Sequence, residues 1–290
     1  ALGSSFPEFA SVVFTALADT FNMGVGAIVG SAIFNILVIP ALSGIAAEGD
    51  LEADRTVVYK EAQFYMIAVS ALVITFALAV IYIPDPTGPA LAGQITRPLA
   101  MLPLLVYGLY LFIQWQDVGD YDAPEVTEKI RLRREWGRLA AGLLLILVAV
   151  EQLVGSVESL GQTFGIPEFL AGVVIIAAAT SLPDTLVSVR SAKAGKARTS
   201  LGNVLGSNTF DLLVAIPVGV LIVGTVTVDF AAAVPMLGVL TLATVLLFAI
   251  LRTGLSMTRP EAYALLLAYG VFVAWIVAET AGVTDLLKGS

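Results

Sequence analysis

The sequence predicts an all-α polytopic membrane protein assembled from two inverted halves, and three observations predict it. Hydrophobic residues make up 58% of the 290 positions and charged residues 13%, and the mean hydropathy is +0.93, well beyond the range of soluble domains. The charges collect in short breaks between long apolar runs. Finally, two short polar motifs each occur twice, at one common spacing.

A spanning helix needs about 20 apolar residues. One partial span is read at about 1–19 and eight fuller ones at about 24–46, 62–84, 97–116, 138–163, 167–191, 201–225, 231–251 and 261–283. These runs are too long and too uniformly apolar for the strands of a barrel. The chain opens on Ala1-Leu2-Gly3, without Met and inside the partial span, and is read as lacking its true N-terminus.

The breaks test the count. With the first span running outward, the inner breaks hold Arg55 and Lys60, then Lys129, Arg131, Arg133, Arg134 and Arg138, then Arg190, Lys193, Lys196 and Arg198, and last Arg252 and Arg259. That is 13 of the 15 basic residues; the outer side keeps Arg97 and Lys288. Basic residues favour the cytoplasmic side, so the expectation is a multi-pass protein of the plasma or inner membrane with a cytoplasmic 117–137 break and an external C-terminus. The break carries Asp117, Asp120 and Asp122 ahead of a basic run. It lacks the ligand order and closing Glu of an EF-hand loop and reads as a solvated linker between a first half, 1–116, and a second half, 138–290.

The repeat sets the halves against each other. Gly3-Ser4-Ser5-Phe6-Pro7-Glu8 matches Ala179-Thr180-Ser181-Leu182-Pro183-Asp184, and the ten residues Gly26 to Asn35 match Gly202 to Asp211, both at an offset of 176. Five span steps separate the copies. Five is odd, so the copies cross the membrane in opposite senses, an arrangement found in secondary transporters with a midplane site where the repeats meet.

Composition bounds the chemistry. With no Cys and no His, disulfides, thiolate chemistry, nitrogen- or sulfur-ligated zinc and histidine relays are excluded. Oxygen ligands remain, which suit Na⁺, Ca²⁺, Mg²⁺ or Mn²⁺. A net charge of −8 argues against a nucleic-acid partner, and no obligatory protein partner is evident; lipid and the ions themselves are the expected partners.

Within the first motif, Pro7 has no N–H and clashes with the carbonyl about four residues earlier, so backbone carbonyls there are released from helical pairing. Ser4 and Ser5 add hydroxyls and Glu8 adds charge; Thr180, Ser181, Pro183 and Asp184 repeat the set. In the second motif Ser31 and Asn35 share one helix face, as do Ser207 and Asp211. Gly26, Gly30, Gly202 and Gly206 have the spacing of a close helix contact. A carboxylate at bilayer depth costs roughly 2.5–3.5 kcal/mol on insertion scales. No Lys or Arg stands at comparable depth to Glu8, Asp184 or Asp211, so cations or protons must balance them. Glu151, inside an apolar run, reads either as a proton carrier or gate or as a polar contact to a neighbouring helix. Glu158 and Glu279 read as solvated near the outer interface.

These motifs resemble the two α-repeats of the sodium/calcium exchanger family, within the calcium:cation antiporter superfamily: T-S-L-P-D and G-S-N-T-F-D in the second half, with their degenerate partners in the first. The resemblance covers nearly the whole chain and implies an inverted-repeat antiporter fold with ten helices, of which nine are present here, the first missing and the second partial. It implies transport rather than catalysis, no cofactor, and exchange of Na⁺ for Ca²⁺ by alternating access. By position it makes Glu8 and Asp184 the central shared carboxylates. It assigns Ala1, Ser4, Ser5 and Ser31 to one outer site and Ala177, Thr180, Ser181 and Ser207 to the opposite one, the alanines acting through carbonyls, with Asn35 and Asp211 flanking the middle. The chain departs from the family at Ala179, where Gly is usual, at Ala27, where Asn is common, and at Asp184, where many prokaryotic members have Glu. The P-D and G-S-N-x-F-D pairing also resembles potassium-dependent exchangers. Proton/calcium and potassium-dependent exchange on the same scaffold stay open. An intramembrane aspartyl protease is a distant alternative, because Asp184 and Asp211 lack the Tyr-Asp and Gly-x-Gly-Asp contexts, and a cation channel is another.

Overall fold

The computed structural model describes residues 3–88, 91–118, 132–166 and 168–284. Twelve helices run α1 (Phe6–Leu17), α2 (Phe21–Ala46), α3 (Ala62–Tyr82), α4 (Arg97–Val118), α5 (Leu132–Phe164), α6 (Glu168–Ala171), α7 (Ala177–Thr180), α8 (Leu182–Lys193), α9 (Ala197–Phe210), α10 (Ile216–Val223), α11 (Phe230–Arg252) and α12 (Arg259–Thr280). π-helical turns at Thr56–Glu61, Gly172–Ile176 and Asp211–Ala215 lead into α3, join α6 to α7 and join α9 to α10. Four short strands, β1 (Leu51–Glu52), β2 (Ala92–Thr96), β3 (Thr225–Asp229) and β4 (Ser256–Met257), complete the description.

Seven of these stretches are long and apolar enough to cross a membrane, or eight with the bent pair Phe169–Thr180 and Leu182–Lys193 taken as one span; α1 is a shorter apolar helix. Each matches a predicted span, including the partial first one. The helices form because apolar runs of this length can satisfy backbone N–H and C=O groups in lipid only within the helix. One boundary differs. The span predicted at 138–163 begins earlier as a helix, with α5 starting at Leu132. Its first turns project polar residues outward, and Arg138 pairs with Glu135 at 2.9 Å, so helical hydrogen bonding continues past the end of the apolar run. Asp120, Asp122, Lys129 and Arg131 lie outside the described residues.

α2 is the hub. It is 89% buried over its most apolar stretch, against 11% for α4, 17% for α5 and 22% for α12, which form the rim. It packs against α1, α8, α9, α11 and α12 and against the bent pair. Small residues make this close. A Cβ at Gly26 would meet the carbonyl of Phe169, and one at Gly30 would fall 2.7 Å from Val173 Cα. From the other side, Gly172 would meet the carbonyl of Met23. At Gly202 a Cβ would meet nothing within 4 Å among the described residues; the segment onto which Phe169 maps, 176 positions earlier, falls outside the sequence.

The strands tie the halves crosswise. β1 pairs antiparallel with β4, and β2 with β3. β1 follows α2 and β3 follows α10; β2 precedes α4 and β4 precedes α12. Exchanging the halves therefore maps one pairing onto the other, as a pseudo-two-fold requires. Beside β2, the Asp85 carboxylate accepts from Thr227 Oγ1 at 2.7 Å, and from Thr87 N and Oγ1 at 3.0 and 2.7 Å. The Thr227 hydroxyl first, then the Thr87 donors, hold its pKa down at about 2.

Replacing Gly30 by Ala is expected to cost about 1–3 kcal/mol through overpacking, whereas Gly270→Ala, exposed on α12 where a Cβ would meet nothing within 4 Å, stays within about 0.5 kcal/mol of the parent or gains slightly from helix propensity. Thermal unfolding of the two variants in detergent checks this contrast.

Candidate functional site

Both copies of the first motif start a helix, and the second does so inside a bent span. α1 begins after Ser5, with Pro7 in its first turn, and α8 begins after Ser181, with Pro183 in its first turn. At Ser181 the two halves of the span bend by 44°. Proline without an N–H is tolerated in a first helical turn, so the motif starts a helix and places the acidic residue in its first turn. α1 and α8 are each 12 residues long and sit at the repeat offset, residue for residue.

The breaks face one another across α2 and α9. Ser4, Ser5, Glu8, Ser31, Asn35, Thr180, Ser181, Asp184, Ser207 and Asp211 are all buried, as is Ala177. Hydrogen bonds cross between the halves. Ser181 Oγ donates to Glu8 Oε1 at 3.4 Å, Asn35 Nδ2 to Asp184 Oδ2 at 3.5 Å, and Ser4 Oγ to Asn203 Oδ1 at 3.4 Å. Each carboxylate among Glu8, Asp184 and Asp211 lies within the field of another. The structure thus brings together every described member of the predicted set; Ala1 lies outside the described residues.

The three carboxylates are not equivalent. Asp184 Oδ1 accepts from Asn203 Nδ2 at 3.0 Å and Ser207 Oγ at 2.9 Å, so both of its oxygens have donors. Asp211 has none on either oxygen among the described residues, and Glu8 has none on Oε2. Ser5 Oγ and Asn35 Oδ1 are also buried without partners. Ser31 and Thr180 turn their hydroxyls back onto helix carbonyls, Ile28 O at 3.1 Å and Ile176 O at 3.1 Å. Five oxygens, on Ser5 just before α1, on α1, on α2 and on the Asp211 turn, are therefore left without donors in a region where no Lys or Arg is buried among the described residues. Among the described residues no three acidic side chains close into an all-carboxylate cage.

A family model described as sodium/calcium exchanger protein matches residues 1–116 and 135–278. The chain belongs to the sodium/calcium exchanger family. This exchanger-family chain is 29% identical over 240 residues to a putative antiporter, CaxA, of Alkalimonas amylolytica, a match covering 80% of this chain and 70% of that one. Its fold is similar to that of the sodium-calcium exchanger NCX_Mj, with a TM-score of 0.64 at 21% identity over 94% of this chain and 83% of the other. The H⁺/Ca²⁺ exchanger CAX is similar too, with a TM-score of 0.69 at 16% identity over 94% and 70%. At these identities the two structures speak for the fold alone.

Three further polar residues join this buried cluster. Asn203 links Ser4 to Asp184 and also donates to Ser188 Oγ at 3.3 Å. Asn208 accepts from Asn35 Nδ2 at 2.9 Å and donates to Ala32 O at 3.2 Å and to Tyr65 OH at 3.3 Å. Ala32 is the repeat counterpart of Asn208, so the two copies touch at equivalent positions, on the local pseudo-two-fold. Asn203 stands four residues before Ser207 and so shares its face, a signal the sequence carried. Asn208, one residue round the helix, and Tyr65, on α3, are placed only by packing. The remaining acids fall elsewhere. Glu151 is exposed on α5, and Glu158 accepts from Gln162 at 3.4 Å on the same helix. Glu279 departs from the solvated expectation: it is buried, with Thr284 Oγ1 donating to it at 2.6 Å where the chain turns back at Gly282 with φ of 72°.

Asn203→Ala leaves Asp184 Oδ1 short of a donor and is expected to cost about 1–3 kcal/mol in ion-free buffer. Ser5→Ala, which removes a hydroxyl with no partner, is expected to stay within about 0.5 kcal/mol of the parent or to stabilise it. Thermal unfolding in choline buffer with chelator separates the two.

Proposed function

We propose that this chain is a secondary antiporter that exchanges Na⁺ for Ca²⁺ by alternating access around the buried cluster. The observation that carries the reading is the set of five buried side-chain oxygens without donors, on Ser5, Glu8, Asn35 and Asp211, with no buried Lys or Arg among the described residues to balance them. Buried acceptors that lack donors are costly, and a cation supplies what they need. Glu8 and Asp184 are the central ligands in this reading, with Asp211 and Asn35 beside them. Ser4, Ser5 and Ser31 line one side, and Thr180, Ser181, Ser207 and the Ala177 carbonyl the other; Ala1 joins the first set by repeat position. Ca²⁺ takes six to eight oxygens, and a mixture of carboxylates, hydroxyls, an amide and carbonyls meets that number where carboxylates alone do not.

The sites lie between two motif copies in opposite senses, and access from one side then the other follows from rocking one copy against the other around a fixed centre. The halves in this reading are 1–116 and 138–290, joined by a cytoplasmic linker, with the C-terminus outside and the protein in the plasma or inner membrane. Three carboxylates carry three formal charges, which three Na⁺ neutralise and one Ca²⁺ leaves one short, so exchange moves net charge.

Sodium-loaded vesicles bearing the protein are expected to accumulate ⁴⁵Ca, and Glu8→Gln or Asp184→Asn to reduce uptake to the level of empty vesicles. Uptake in either variant at the parent rate sinks the assignment. Currents accompany uptake in the same vesicles; zero current during sodium-driven uptake rejects the three-for-one count.

A second reading, exchange of H⁺ for Ca²⁺, is favoured by one feature. Asp211 lacks donors on both oxygens while Asp184 has them on both, so Asp211 is suited to hold a proton that Asp184 is not. Calcium flux driven by a pH gradient without sodium, lost in Asp211→Asn, is the expected result of that reading; flux that needs sodium at every pH excludes it.

A further inference from the structure

A cleft at the entry to α3, far in character from the acidic centre, has no part in the exchange chemistry. It encloses about 740 Å³ and is lined by residues of the π-helical turn before α3, by α3 and α4, and by Arg198 at the start of α9. Its charge is opposite to that of the molecule. The chain as a whole carries −8, yet this cleft gathers Arg55, Lys60 and Arg198 against two acids, Glu61 in its wall and Asp54 paired with Arg198. Glu61 is already engaged, accepting from Tyr110 OH at 3.1 Å and Gln114 Nε2 at 2.7 Å. Two of the cations are held in place by neighbours. Arg198 Nε binds Asp54 at 3.1 Å, and Lys60 Nζ donates to Gln114 at 3.5 Å. Positioned cations lose less conformational freedom when an anion arrives.

The surroundings identify the anion. Below the basic rim the cleft wall is apolar, with Phe64, Ile67 and Ile113, and Ile67 is about half exposed at 49%. α4, the outer wall, is among the least buried helices. Trp115, 72% exposed near the end of α4, is the kind of side chain that settles at the headgroup level. Arg252 lies 5.7 Å over the Tyr59 ring at the same mouth, so basic breaks of both halves meet here. A charged rim over an apolar, lipid-accessible wall matches a molecule with a phosphate at one end and an acyl chain at the other; a soluble anion has no use for the wall. We propose that this cleft binds the headgroup of an anionic phospholipid, its phosphate at Arg55, Lys60 and Arg198 and an acyl chain along Phe64, Ile67 and Ile113. Basic pockets between helices at a membrane surface act in this way.

The test uses the full chain in neutral detergent, with binding of short-chain phosphatidylglycerol, phosphatidylcholine and inorganic phosphate followed by native mass spectrometry and by thermal shift. Phosphatidylglycerol is expected to bind at least about tenfold more tightly than either of the others. Each rim charge contributes about fivefold, so Arg55→Gln weakens phosphatidylglycerol about fivefold and Arg55→Gln with Arg198→Gln about 25-fold. Arg133→Gln, a charge removed from exposed α5, leaves binding unchanged. Should loss of the Arg198–Asp54 pair unfold the double variant, Arg55→Gln alone decides, since it keeps that pair. Equal binding of phosphatidylcholine, phosphate binding as tight as the lipid, or an equal loss in Arg133→Gln overturns the proposal. None of these residues lies in the proposed ion cluster, so calcium uptake can fail while this site stands, and the reverse.

Discussion

Negative charge held inside an apolar bundle without an internal counter-charge is the constraint around which this molecule is arranged. Glu8, Asp184 and Asp211 are buried, and among the described residues no Lys or Arg is buried with them. The polar groups nearby mostly relieve one carboxylate, Asp184, through Asn203, Ser207 and Asn35. Glu8 and Asp211 keep oxygens without donors. In a medium of low dielectric such an arrangement is stable only when positive charge arrives from outside the chain's own side chains. That requirement ties the site to the substrate class argued above.

Holding the cluster together demands close helix packing, and the sequence supplies it with absent side chains. Gly26, Gly30 and Gly172 let α2 and the bent span meet at backbone distance. This contact carries Ala177, Thr180 and Ser181 to the face of α2 that bears Ser31 and Asn35. The helix breaks at Ser5 and Ser181 then aim two first turns, each with its acid, at one volume. Proline and glycine thus do complementary work: one ends helical pairing where oxygens are needed, the other brings the freed segments together. The network around Asp184 has no full counterpart around Glu8, where Ala27 stands in the place of Asn203.

Much of this was legible beforehand because its causes are local or periodic. Apolar run length fixes a spanning helix, and the described helices fall on the expected spans. Proline chemistry is local: helices start where Pro7 and Pro183 imply, and the span bends at Ser181. The offset of 176 is carried through to helices of equal length and to crosswise strand pairs. Less was legible where the cause is a partner distant in sequence. The extension of α5 to Leu132 depends on helical continuity beyond the apolar run. The burial of Glu279 depends on a turn at Gly282 that returns Thr284 to it. The roles of Asn208 and Tyr65 depend on which faces of α3 and α9 meet.

By itself, then, the sequence determined the membrane class, the helix positions, the two oppositely directed copies and the three acids of the central cluster, since hydropathy, backbone chemistry and repetition act along the chain. Tertiary structure alone decided which oxygens find donors and which are left without them, which glycines become contacts, and that Arg55, Lys60 and Arg198 share one cleft. Those outcomes rest on distances between segments up to about 200 residues apart, as for Ser4 and Asn203, and no linear pattern encodes a distance of that kind.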